Sequence, residues 1–182
     1  RNMISGWFPE DLTAYGDFIK ALLAGDPDYM NQFMNKISAE IFSSFDVGNK
    51  PSKDTHPERF YHGFVLGLIV DLAGRYRIRS NRESGFGRYD VVLEPKAYSD
   101  HAIVMEFKVF HAKKDKTLET AVQNALKQIN DMNYDADLIA RGIEKKRIRH
   151  YGFAFEGKKV LIGKDQPEIC TTQNNAKSQK GD

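Results

Sequence analysis

The segment His101–Phe110 constrains this chain more than any other. Its period-two alternation places Ile103, Met105, Phe107 and Val109 on one face and Ala102, Val104, Glu106, Lys108 and Phe110 on the other. Both faces are largely apolar, which is the pattern of a central strand covered on both sides. Yet Glu106 and Lys108 stand two residues apart on one of those faces. Charges in such a place cost several kcal/mol of desolvation, on the order of 3–5, unless they are partnered. A half-buried ion pair between the two is the simplest reading of an isolated Glu-x-Lys.

The preceding segment changes that reading. Tyr76–Ser80 alternates, Ser84–Gly87 is a turn, and Arg88–Leu93 is a second strand closed by Glu94-Pro95. Three consecutive strands on short turns predict an antiparallel meander. Asp90 sits among β-branched residues, where aspartate is disfavoured and needs a reason. In the expected register Asp90 faces the same side as Glu106. Two adjacent carboxylates repel and invite a divalent cation, and oxygen-only ligands point to Mg²⁺ or Mn²⁺ rather than Zn²⁺. A lysine two residues beyond the second carboxylate suits water activation or stabilisation of phosphoryl charge.

Helical periodicity surrounds the meander. Residues 10–24 and 28–45 predict a helical hairpin broken at Gly25-Asp26-Pro27, read as a packing element. Pro57 opens a third helix carrying Phe60, Tyr61, Phe64, Val65, Leu68, Ile69 and Leu72, ended by Gly74. Asp115 or Thr117 caps a long helix through Met132, a short helix follows at 135–141, and strands are expected at 147–155 and 158–162 around Glu156-Gly157. Residues 47–54 read as a linker, and the polar stretch from about 166 as a disordered tail.

The order helix, meander, helix, strand with Asp90…Glu106-Phe107-Lys108 resembles the PD-(D/E)XK nuclease superfamily. Four further stretches, Pro57–Gly63, Ser80–Asp90, Ala125–Ile129 and Tyr151–Lys158, resemble one group within it, the bacterial AAA-ATPase-like proteins with a C-terminal PD-(D/E)XK domain. The resemblance implies an α/β restriction-endonuclease-like core, a mixed β-sheet flanked by helices and preceded by a small helical hairpin. It implies residues 1–50 as an inter-domain hairpin and linker, 51–165 as the nuclease-like domain and 166–182 as a tail. It also implies a Mg²⁺- or Mn²⁺-dependent nuclease, with DNA favoured over RNA. Asp90 and Glu106 correspond to its metal-binding carboxylates, joined by the Phe107 backbone carbonyl, and Lys108 to its catalytic lysine. Glu58 fits the first-helix carboxylate of exonuclease-like branches, and Gln128 fits their glutamine.

Other residues carry competing readings. His62 is an accessory candidate, with a satisfied histidine beside Glu58 the simpler reading. Glu83 is either a further ligand or a partner of Arg82 or Arg88. Arg75, Arg77, Arg79, Arg82 and Arg88 crowd into fourteen residues with Glu83 the sole acid among them. A charge run is usually a solvated face, but beside a phosphodiesterase site Arg79, Arg82 and Arg88, with Lys127, become candidates for phosphate contact. The rival reading is a catalytically silent nucleic-acid- or protein-binding module, or an oligomerisation module forming a homodimer.

Charge and composition bound the rest. A net charge of +2 is too small to announce a nucleic-acid binder. It sums an acidic N-terminal segment (residues 1–46, three basic against seven acidic) and a basic remainder (residues 47–182, 24 basic against 18 acidic). No apolar run approaches the ~20 residues of a membrane span, so no membrane partner is expected. One cysteine, Cys170, makes no disulfide or zinc cage, and a reducing cytoplasm is the default compartment. No Gly-x-x-x-x-Gly-Lys-Ser/Thr occurs. ATP is therefore not expected as a ligand, and the group resemblance implies a separate N-terminal ATPase domain of a longer parent chain as partner.

Overall fold

The computed structural model describes residues 12–44, 57–84 and 87–165. Helices α1 (Leu12–Ala24) and α2 (Pro27–Ser44) form the hairpin, and α3 (Pro57–Ile69) relaxes into a 3-10 turn over Val70–Gly74. Strands β1 (Tyr76–Ser84), β2 (Gly87–Pro95) and β3 (Ala102–Val109) follow, then α4 (Leu118–Asp131), α5 (Ala136–Ala140), β4 (Ile148–Glu156) and β5 (Lys159–Lys164). The strands order β1-β2-β3-β4-β5 in one sheet. All neighbours are antiparallel except β3 and β4, which run parallel across the α4–α5 crossover. This is the expected mixed sheet with flanking helices and an N-terminal hairpin. The linker at 47–54 and the tail from 166 lie outside the described residues.

β1 is longer than the alternation of Tyr76–Ser80 predicts. It continues to Ser84 because Ser84 pairs with Gly87 across the hairpin. Thr117, not Asp115, caps α4 by accepting the Thr120 N–H. Asp115 instead accepts from His111 N and from Asn124 Nδ2, both at 3.0 Å.

The two-residue period of β3 divides the interior into two cores. Ile103, Met105 and Phe107 join Val91, Leu93, Phe153 and Phe155 beneath α1, α2 and α3. Ala102 and Val104 join Val92 and Ala154 beneath α4 and α5. The central strand is therefore covered on both faces, as its composition requires.

The β5 edge is closed by side chains rather than by another strand. Asn31 donates to Ile162 O at 2.9 Å and accepts from Ile162 N at 2.7 Å. Asn35 does the same with Val160 O and N, at 2.7 and 2.9 Å, and Ser38 Oγ donates to Lys158 O. One helical turn of four residues advances about 6 Å and two strand residues about 6.7 Å, so the two ladders stay in step. Unpaired edge groups, a template for unwanted strand pairing, are thereby satisfied.

α4 approaches the sheet closely where β4 and β5 carry glycine. A Cβ at Gly152 would stand 2.7 Å from Val122 O, and one at Gly163 would stand 2.6 Å from Val122 Cγ1. Because the obstacle at Gly152 is helix backbone, Gly152→Ala must displace α4. We expect it to lower the unfolding free energy by about 1–3 kcal/mol in urea titration.

His150 ties three segments together. It is 5% exposed. Its Nε2 pairs with Asp135 Oδ1 at 2.8 Å, and its Nδ1 meets Asp165 Oδ2. Burial opposes its charge, but the hydrogen bonds and charges of Asp135 and Asp165 outweigh burial and push its pKa up to about 9. Since this lies above the unfolded value, the stabilisation is complete below the ordinary histidine pKa of 6.5 and is lost as pH rises through about 9. Urea unfolding between about pH 6 and pH 10 should show that decline, and His150→Gln should flatten it.

Candidate active site

Glu106 is 2% exposed, near the C-terminal end of β3 on the face that α4 covers. Its Oε1 accepts from Lys108 Nζ at 2.8 Å and from Gln128 Nε2 of α4. Gln128 Nε2 also donates to the Tyr134 hydroxyl oxygen at 3.0 Å. Among the described residues, no hydrogen-bond donor reaches the buried Oε2. The helix places these groups by its own period: Ala121, Ala125 and Gln128 share one side of α4. The two alanines allow close approach to the sheet, and the amide then reaches the carboxylate. Lys108, at 30% side-chain exposure, stands at the boundary between this buried cluster and solvent.

The β2–β3 register brings the second predicted carboxylate alongside by its backbone. Leu93 pairs with Ile103, Val92 with Val104 and Val91 with Met105. One residue further along each strand stand Asp90 and Glu106. The side chains of Asp90, Glu58, Arg82, Glu83 and Arg88 lie outside the described residues. The backbone of Glu58 belongs to α3, which packs on the other face of the sheet.

The structure does not bring His62 to Glu106. The His62 ring lies tilted, 5.6 Å from that of Phe107, on the α3 face, and its Nε2 lies 3.0 Å from Ser80 Oγ. Arg79, offered by the sequence for phosphate, is paired with Glu94. Glu94 also holds Arg77 at 3.1 Å and approaches Arg141 at 3.6 Å. Arg75 forks onto Asp100, with bonds of 2.6 and 2.5 Å that hold the Asp100 carboxyl below its ordinary pKa. Lys127 pairs with Asp131 on the exposed side of α4.

A family model described as PD-(D/E)XK nuclease superfamily matches residues 56–165, about three-fifths of the chain. The chain belongs to the PD-(D/E)XK nuclease superfamily. No curated protein matches the sequence. Members of the superfamily are typically nucleases and generally use divalent metals. Within the matched residues, Glu106 and Lys108 form a Glu-x-Lys on β3, in mutual contact. Among the described residues, no group of three or more His, Cys, Asp or Glu is arranged to hold a metal. Among the described residues, no helix is long and apolar enough to cross a membrane.

Two contact residues do not stand out in the sequence. Tyr134 follows the helix that carries Gln128, where it reads as an ordinary apolar position. Glu94, toward the other end of the sheet, reads only as a strand stop. Its role was calculable from the hairpin: the register fixed by Ser84 opposite Gly87 puts Glu94 opposite Arg77.

Removing a donor from a buried carboxylate leaves it under-solvated. Gln128→Leu is expected to destabilise the fold by about 1–3 kcal/mol. In Glu106→Gln protein the same change should cost measurably less, as a double-mutant cycle in urea would show.

Proposed function

We propose that this chain is a metal-dependent nuclease that hydrolyses phosphodiester bonds at the C-terminal end of β3. The observation that carries the reading is the register: it sets Asp90 beside Glu106, whose oxygen already holds Lys108. Two neighbouring carboxylates disfavour each other's ionisation, and a divalent cation relieves that conflict. The donor set fits such an ion. Asp90, Glu106 and the Phe107 carbonyl, with Glu58 as a further carboxylate, offer hard oxygen atoms only, which suits Mg²⁺ or Mn²⁺.

Bound there, the cation supplies Lewis acidity and a more acidic water. The chain's own groups do the remaining work. Gln128 fixes the direction of the Glu106 carboxylate. Lys108, anchored by that carboxylate and reaching solvent, presents its N–H groups to the attacking water and to charge developing on phosphoryl oxygens.

The purified chain, assayed with Mg²⁺ and Mn²⁺ on single- and double-stranded DNA and RNA, is expected to show cleavage that stops on chelation. Asp90→Asn and Lys108→Ala should each slow it by about a hundredfold or more. Cleavage that survives both substitutions would sink the reading.

A further inference from the structure

Arg75, Arg77 and Arg79 are neutralised, and they sit toward the end of the sheet where β3 begins. There, Arg75 is held by Asp100 and Arg77 and Arg79 by Glu94, with Arg141 close to Glu94 and Lys146 on Glu144. The opposite end has a different balance. β3 and β4 run parallel, and Phe110, just past β3, still donates to Phe155 O at 2.8 Å. The loop leaving β3 and the turn leaving β4 therefore lie side by side, at the end that holds Glu106 and Lys108. The loop exposes Lys113, Lys114 and Lys116, and the turn exposes Lys158 and Lys159. Among the described residues, none of these five makes an ion pair.

The loop is built to keep them so. Its acid, Asp115, is 9% exposed and turned inward, accepting from His111 N and Asn124 Nδ2. Lys114 N and Asp115 N both donate to His111 O, at 2.7 and 2.8 Å. The carboxylate is thus consumed in fastening the loop to itself and to α4, and the ammonium groups stay outside. Among the described residues of these two segments, the exposed acids are Glu119 and Glu156, two against five lysines.

We propose that Lys113, Lys114, Lys116, Lys158 and Lys159 form the track on which a nucleic-acid backbone lies as it enters the site of Glu106 and Lys108. The choice of polymer rests on the nuclease reading above. Compact ammonium charges without a bidentate fork neutralise phosphates and do not read bases. Binding by this rim is therefore indifferent to sequence and sensitive to salt.

The test is fluorescence anisotropy of a labelled oligonucleotide of about twenty nucleotides, single-stranded and as duplex, with the full chain over a range of salt. EDTA is present, so no metal-dependent cleavage intervenes. The triple variant Lys113→Gln/Lys114→Gln/Lys116→Gln should flatten the slope of log K against log salt by about 2–3. The corresponding triple Lys→Arg variant should keep the slope, and Lys145→Gln/Lys146→Gln at the other end of the sheet should leave it unchanged. An unaltered slope in the triple Gln variant, equal losses in both Gln variants, or equal displacement by polyglutamate at matched charge would each overturn the proposal. Binding through the rim without turnover in the metal assay would uphold the track and reject the nuclease.

Discussion

A carboxylate buried in the middle strand of a doubly covered sheet needs donors, and much of the architecture around β3 can be read from how Glu106 obtains them. One comes from its own strand, where the two-residue period returns Lys108 to the same face. The other comes from α4 through Gln128. A side-chain amide spans that gap only if the helix lies close to the sheet. Gly152 and Gly163 provide the closeness, since a methyl group at either position would strike Val122. Desolvation offsets much of the Coulomb gain of such a cluster, so its effect is to fix an arrangement rather than to add stability.

The sheet also acts as a partition. On the α1–α3 side the central positions are aromatic, with Phe107 packed at 5.0 Å from Phe153 and 6.1 Å from Phe155. On the α4 side the apolar core is threaded by polar contacts, from Glu106 through Gln128 to Tyr134 and, in the next residue, Asp135 on to His150. The contacts of Glu106 lie on that face, whereas on the other Tyr151 donates to Leu22 O and Arg149 to Leu23 O. His62, on the aromatic side, meets Phe107 and Ser80.

The meander, the crossover helix and the covering of β3 on both faces were legible because each rests on local periodicity. Glu106 and Lys108 were legible for the same reason, as charged residues on an apolar face, whereas Gln128 came from the family resemblance. Within the arginine run, the described side chains of Arg75, Arg77 and Arg79 are cancelled by Asp100 and Glu94, which lie some twenty residues away along the chain and become neighbours only through the β1–β2 register and the turn after β2. The lysine loop does not stand out in the sequence because Asp115 sits among its lysines, and only the folded loop shows that carboxylate turned away from them. Pairing across strands and the direction of a loop side chain are tertiary facts, invisible to composition.

The asparagine ladder on β5 has a different kind of consequence. On β5, Asn31 and Asn35 hydrogen-bond to the backbone N–H and C=O groups of Val160 and Ile162. Those groups are the same whatever side chain the residue carries. The seal therefore places no demand on the identity of β5's residues beyond excluding proline. Sequence drift along that strand, limited elsewhere by packing against α4, can proceed without unfastening the edge. The two asparagines themselves have no such freedom, because few other side chains offer a donor and an acceptor at that length.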